Sequence, residues 1–171
     1  MACLGAGVFG REARTSFHGA GYIRGGTTQV FRTYHQPIKV AARAGQVWRT
    51  VRDFHDFSWS TTIASCEAIG SKPGNVVGAQ RLLNGAFAET LIEHNDGTYT
   101  MPYSIDYGPN PISAGDVREY IGHPKLRPIT HDNTIFADRK LSWTSEDDAA
   151  VAFCGGMYNA PLSELAAHHG C

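Results

Sequence analysis

The sequence lacks any cysteine pair at metal-binding spacing: its four thiols, Cys3, Cys66, Cys154 and Cys171, are scattered and form no CxxC. That spacing excludes a zinc ribbon, and it reads as reduced intracellular thiols rather than a disulfide framework. Long hydrophobic runs are missing too. No apolar stretch approaches the ~20 residues that cross a bilayer, and no basic segment followed by a continuous apolar one opens the chain. The expectation is a cytoplasmic protein without membrane insertion. Charge of one sign is absent, since 15 basic residues against 16 acidic ones leave a net charge of -1. Such a balance offers no field to phosphate backbones, which excludes nucleic acid as a partner. There is no G-x-S-x-G elbow for a Ser-His-Asp triad. Of the eight histidines, His55, His94, His123 and His131 fall in separate segments, and His168 with His169 suits the carbonyl end of a helix, so neither metal nor cofactor is expected.

What is present is a chain of 171 residues with 42% hydrophobic residues, enough to bury one core without staples. Residues 1–28 are glycine-rich and carry Arg11, Arg14 and Arg24 against a single acid, Glu12. They are expected to form a flexible tail, with an organelle transit peptide as the alternative, ahead of one domain at 29–171. A chain shortened to begin near Thr27 is expected to unfold at the same temperature as the full chain. A large drop in that midpoint would mean that the tail docks on the domain.

Hydrophobic periodicity sets the elements. Residues 29–40, QVFRTYHQPIKV, are β-branched and aromatic, and Pro37 confines the strand to an edge or an end. Ala44, Val47, Trp48, Val51 and Phe54 recur at helical spacing, predicting an amphipathic helix of about three turns. Phe57, Trp59 and Ile63 predict a second short helix, and SKPGN at 71–75 supplies a hairpin turn. Alternation in AFAETLIEH, GTYTMPYSIDY and IFADRKLSW predicts antiparallel strands with one face buried. Ser145 stands in an N-cap context before a long last helix, in which Gly155, Gly156 and Pro161 predict a kink or break.

The order of these pieces resembles the polyketide cyclase/dehydrase and lipid-transport group of the START-like, Bet v 1-like superfamily. The matching runs are PIKVAARAGQVWRTVRDF from Pro37, PGNVVGAQRL from Pro73, YSIDYGPNPI from Tyr103, Trp143, and GMYNAPLSELAAH from Gly156. The resemblance spans about 29–170 and implies an α+β helix-grip fold: a curved antiparallel sheet wrapped around a long C-terminal helix, with two short helices after the first strand. It also implies a hydrophobic cavity that serves cyclisation, dehydration or isomerisation in some members and carriage of an apolar ligand in others. Residues 75–89 are similar to the matching strands of lachrymatory-factor synthases, where an arginine and a glutamate face the cavity and take part in proton transfer. That likeness implies the same roles for Arg81 and Glu89. The tyrosine of that subgroup aligns near Val117, which has no phenol. Plant abscisic-acid receptors share the fold, but their gate would fall at 83–88, where LNGAFA departs from it.

Strand parity puts Arg81, with Ala79 and Leu83, and Glu89, with Phe87 and Leu91, on the inward face. Two charges facing an apolar interior must pair, bind a ligand or reach water. A cross-strand ion pair that only fixes the sheet and a ligand-facing pair both satisfy that rule. Tyr103 belongs to the same inward set, either as core or as a hydrogen-bond donor to a carbonyl. Phe87, Leu91, Met101, Ile105, Tyr107, Trp143, Tyr158 and Leu162 are the expected lining. Arg139 shares the Trp143 face but is expected to snorkel to solvent from a strand end. Two functions follow. In one, an enzyme, a lyase or isomerase, uses Arg81, Glu89 and Tyr103 for proton transfer on a polyketide-like or other small carbonyl compound. In the other, a non-catalytic carrier or sensor of a hydrophobic ligand or lipid uses the same charges as an anchor.

Overall fold

The structure is a computed structural model that describes residues 28–146 and 148–170, so all but the last residue of the expected tail lies outside the described residues. Strand β1 (Val30–Val40) leads into helix α1 (Ala44–Val51), followed by β2 (Cys66–Ile69), β3 (Gln80–Leu83), β4 (Phe87–Leu91), β5 (Tyr103–Tyr107), β6 (Val117–Ile129) and β7 (Thr134–Ser145). Helix α2 (Ala149–His168) ends the chain. The strands form one antiparallel sheet in the order β1-β7-β6-β5-β4-β3-β2. Register shifts between Ala88 and Glu89 and between Arg118 and Ile121 mark bulges, the usual means of bending a sheet around a helix. The α+β helix-grip architecture is therefore as the periodicity and the resemblance led one to expect.

The local departures have local causes. Helix α1 buries Ala44, Val47 and Trp48 but stops after eight residues, and no helix forms around Phe57 to Ile63. There the Asp53 carboxylate accepts the His55 N–H at 2.9 Å and the Asp56 carboxylate accepts the Ser58 N–H at 2.8 Å. These side-chain turns take donors that a helix would need for its own ladder. At the other end Ser145 is not a cap. It finishes β7 and accepts the Arg32 Nε–H at 2.9 Å, while Asp148 takes the N-cap position and pairs with Arg32 Nη1. Helix α2 runs unbroken through Pro161, because seven of its residues, including Cys154, Tyr158, Leu162 and Leu165, are buried in the common core. Burial at about 1.5–3 kcal/mol per large apolar side chain outweighs the bond that proline removes. Gly155 has a packing reason: a Cβ there would meet the Tyr34 hydroxyl at 3.2 Å. Among the described residues no helix is long and apolar enough to cross a membrane.

Candidate functional site

Arg81 and Glu89 are direct cross-strand partners on β3 and β4, and their parity buries both, at 2% and 3% exposure. They close on each other. Arg81 Nε donates to Glu89 Oε2 at 2.7 Å, Nη2 lies 2.5 Å from the same oxygen, and Nη1 donates to the Phe54 carbonyl at 2.6 Å. The guanidinium carbon lies 3.7 Å from the Phe54 ring centre and 4.7 Å from that of Phe57. One cation thus meets a carboxylate, a carbonyl and two π faces, which is how a buried charge is tolerated.

Beside this pair lies a cavity of about 90 Å3. Trp48 and Val51 of α1 and Phe57 and Trp59 of the following loop form one side of it. Arg81, Met101 and Tyr103, with Leu126 of β6 and Ala137 and Arg139 of β7, form the sheet side, and Leu162 and Leu165 of α2 complete it. Four expected residues, Arg81, Tyr103, Met101 and Leu162, therefore meet there. Glu89 stands behind Arg81 and off the wall. Leu91, Ile105, Trp143 and Tyr158 are core residues at 1%, 9%, 0% and 5% exposure, and Phe87 is half-buried at the start of β4. Tyr107, expected inside, is 60% exposed. Its register explains the correction: Glu89 pairs with Ile105 but Ala88 pairs with Tyr107, so the extra residue Asp106 reverses the parity and turns Tyr107 outward.

The residue that sequence reasoning sent to solvent is Arg139. Arg139 stands midway along β7, not at a strand end. Its Nη2 donates to the Tyr103 hydroxyl, and its guanidinium carbon stacks 3.8 Å from the Tyr158 ring centre. Its Nε is buried with no protein acceptor, as is Trp59 Nε1. Burial pushes the Arg139 guanidinium below its ordinary value, although nothing in the physiological range deprotonates it. Next to it, the Tyr120 hydroxyl lies 2.7 Å from Cys154 Sγ and 3.3 Å from the Tyr158 hydroxyl. Burial raises all three groups, Cys154 to about 11, so this cluster stays neutral. The parity of Arg139 with Ala137, Leu141 and Trp143 was the signal that could have found it.

Glu164, on the α2 turn between Leu162 and Leu165, ties down the loop that carries Phe57 and Trp59. Its carboxylate accepts the hydroxyls of Ser60 and Thr61 and, at 3.0 Å, that of Thr62, whose N–H it also accepts at 3.1 Å. The Ser60 and Thr61 bonds foremost hold its pKa at about 2, against an ordinary 4.5. A folded-state pKa below the unfolded one contributes stability that is complete above the unfolded value and is lost as pH falls through the folded one. The loop is therefore expected to loosen between about pH 4.5 and 2, read as a red shift of Trp59 emission in a variant with the other tryptophans replaced. Glu164→Gln should remove that transition. A wild-type titration that is flat over the window would refute the tether.

Comparison with known proteins gives a consistent result. The family described as polyketide cyclase / dehydrase and lipid transport matches residues 32–170. Among curated proteins none matches. Among solved structures, a protein from Nitrosospira multiformis is 40% identical, with a TM-score of 0.78 over 80% of this chain and 95% of that one. A Thermobifida fusca protein at 19% identity has a TM-score of 0.69 over 81% of this chain and 93% of its own. Norcoclaurine synthase from Thalictrum flavum, in complex with dopamine and hydroxybenzaldehyde, is 16% identical with a TM-score of 0.62, covering 82% and 84%. The last two show likeness of fold alone. With the family match running from the third residue of β1 to the end of α2, this chain belongs to the polyketide cyclase/dehydrase and lipid transport family.

Proposed function

We propose that the protein binds a small, largely apolar molecule carrying a carbonyl oxygen, and that it does so as a carrier or sensor. The observation that carries this reading is the closure of Glu89 on Arg81, which takes the one carboxylate buried among the described residues off the cavity wall. A general base must come within hydrogen-bond reach of the proton it abstracts, and Glu89 does not border the space where a substrate would sit. Aromatic and aliphatic walls with a few polar groups at one end are the usual composition of a small-molecule site. Tyr103 and Arg139 supply that end here. Native mass spectrometry of the purified protein should show a co-purified small molecule that leaves chemically unchanged after prolonged incubation. A protein that carries nothing and binds no small apolar carbonyl compound would end this reading.

One observation favours a second reading, in which the bound molecule undergoes cyclisation, dehydration or isomerisation. The Tyr103 oxygen accepts from a guanidinium, an arrangement that strengthens the phenol as a donor to a developing oxyanion. In that case Tyr103, not Glu89, moves or stabilises the charge. Tyr103→Phe separates the two readings. A carrier should lose about three- to tenfold in affinity, the worth of one neutral hydrogen bond, and have no turnover to lose. An enzyme should lose about 100-fold or more in turnover.

A further inference from the structure

The polar end of the cavity is rich in donors and poor in acceptors. Two guanidiniums, Arg81 and Arg139, share one carboxylate, Glu89, and Arg81 holds that carboxylate through both Nε and Nη2. That leaves Arg139 as the guanidinium without a counter-charge, with Lys125 as the other cation on the lining. Among the described residues Arg139 has no carboxylate partner, and the two acidic residues on the cavity lining do not supply one. Asp138 is taken by Arg127 Nε at 2.9 Å and by His35, while Asp56 is solvent-exposed and accepts the Ser58 N–H. The neighbouring Tyr158 offers Arg139 only a ring face, and its phenol is kept neutral by burial. A π face attracts the charge but leaves the in-plane N–H groups without acceptors.

Three donors on cavity-lining residues lack an acceptor among the described residues. They are Arg139 Nε–H, the Tyr103 hydroxyl proton, whose oxygen is already occupied by Arg139 Nη2, and Trp59 Nε1–H. Buried donors without acceptors are costly, and a neutral carbonyl would satisfy only part of this set. We propose that the ligand is an organic anion, a small aromatic or aliphatic carboxylate whose charged end sits against Arg139 and Tyr103 and whose apolar body lies between the α1 side and α2. This rests on the reading of the cavity as a small-molecule site. A planar guanidinium with an adjacent phenol suits the two oxygens of a carboxylate, which accept in one plane.

The test uses the full chain and matched probes that differ only at the polar end: benzoate, cinnamate and octanoate, each against its amide, by calorimetry or quenching of Trp48 and Trp59. At least one acid is expected to bind about tenfold or more tighter than its amide, the usual advantage of a charge-assisted pair. Arg139→Gln should bring that ratio to near one. Arg139→Lys, which keeps the charge without the planar fork, should retain part of the preference. Equal binding of acids and amides by the wild type would overturn the anion assignment and leave the cavity reading standing. Preference that persists in Arg139→Gln would overturn the role of Arg139. Binding of no probe of either kind would overturn the anion assignment and the cavity reading together. The wild-type ratio and the Lys variant decide the matter even where Arg139→Gln fails to fold.

Discussion

Glu89→Gln is expected to lose about 3 to 5 kcal/mol of folding stability, the cost of leaving a buried guanidinium without its counter-charge. Arg81 is 2% exposed and cannot turn to water. For a domain of this size the loss corresponds to a fall of about 6–20 °C in the unfolding midpoint. The Phe54 carbonyl, 2.6 Å from Nη1, and the Phe54 ring remain as partners and put the expectation toward the lower end. Arg81→Met with Glu89→Leu should recover most of the loss, because removing both charges removes the desolvation cost along with the attraction. Chemical denaturation of the three proteins checks this directly. A Glu89→Gln protein of wild-type stability that had lost turnover would instead restore Glu89 as the group that moves the proton. A structural pair and a catalytic carboxylate thus give opposite patterns on one variant.

How much of this was legible in the sequence depends on whether a position obeys simple parity. Strands β3 and β4 show uninterrupted alternation, so Arg81 facing Glu89 on the inward surface followed from counting by twos. Whether the two side chains would close on each other or open on a cavity is a matter of side-chain conformation, which no period encodes. Strand β6, with Gly122, Pro124 and Pro128, reads as a series of breakers. It persists as a strand because beyond Gly122 its regular pairing is with β7 alone. Its other edge meets the irregular residues before β5, where Pro124 need only offer a carbonyl, to Met101 N–H at 3.4 Å. Tyr107 was misplaced by one bulge residue, and Phe57 and Trp59 by two aspartates that favour turns over helix. Parity put Arg139 on the inward face, and only the rule that arginines snorkel from strand ends pointed it to solvent, whereas it lies midway along β7. Each miss came from a tertiary or side-chain effect that overrode a correct local pattern.

Gly122→Ala is expected to damage the site from the opposite strand. Gly122 faces Tyr103 across the β5–β6 ladder, and a Cβ added there would lie 2.5 Å from Tyr103 Cζ and 2.8 Å from its Cε1 and hydroxyl oxygen. Real Cβ atoms do not approach so closely, so the ring must move. It has little room to do so, being 2% exposed and held on its other side by Phe54 at a centroid distance of 5.8 Å. Overpacking of this kind costs about 1–3 kcal/mol, and the displaced hydroxyl gives up its bond to Arg139. Affinity for a ligand gripped at that bond should fall about tenfold or more, beyond the effect of Tyr103→Phe, which removes the oxygen but leaves the ring in place. Tyr103→Leu in the Gly122→Ala background should regain stability without regaining affinity, because the clash is with the tip of the ring and contacting residues couple non-additively. Thermal unfolding and probe titration on the two single variants and the double variant separate packing from recognition. Unchanged stability and affinity in Gly122→Ala would mean that Tyr103 has slack, and with it that the hydroxyl is not held in place for a ligand.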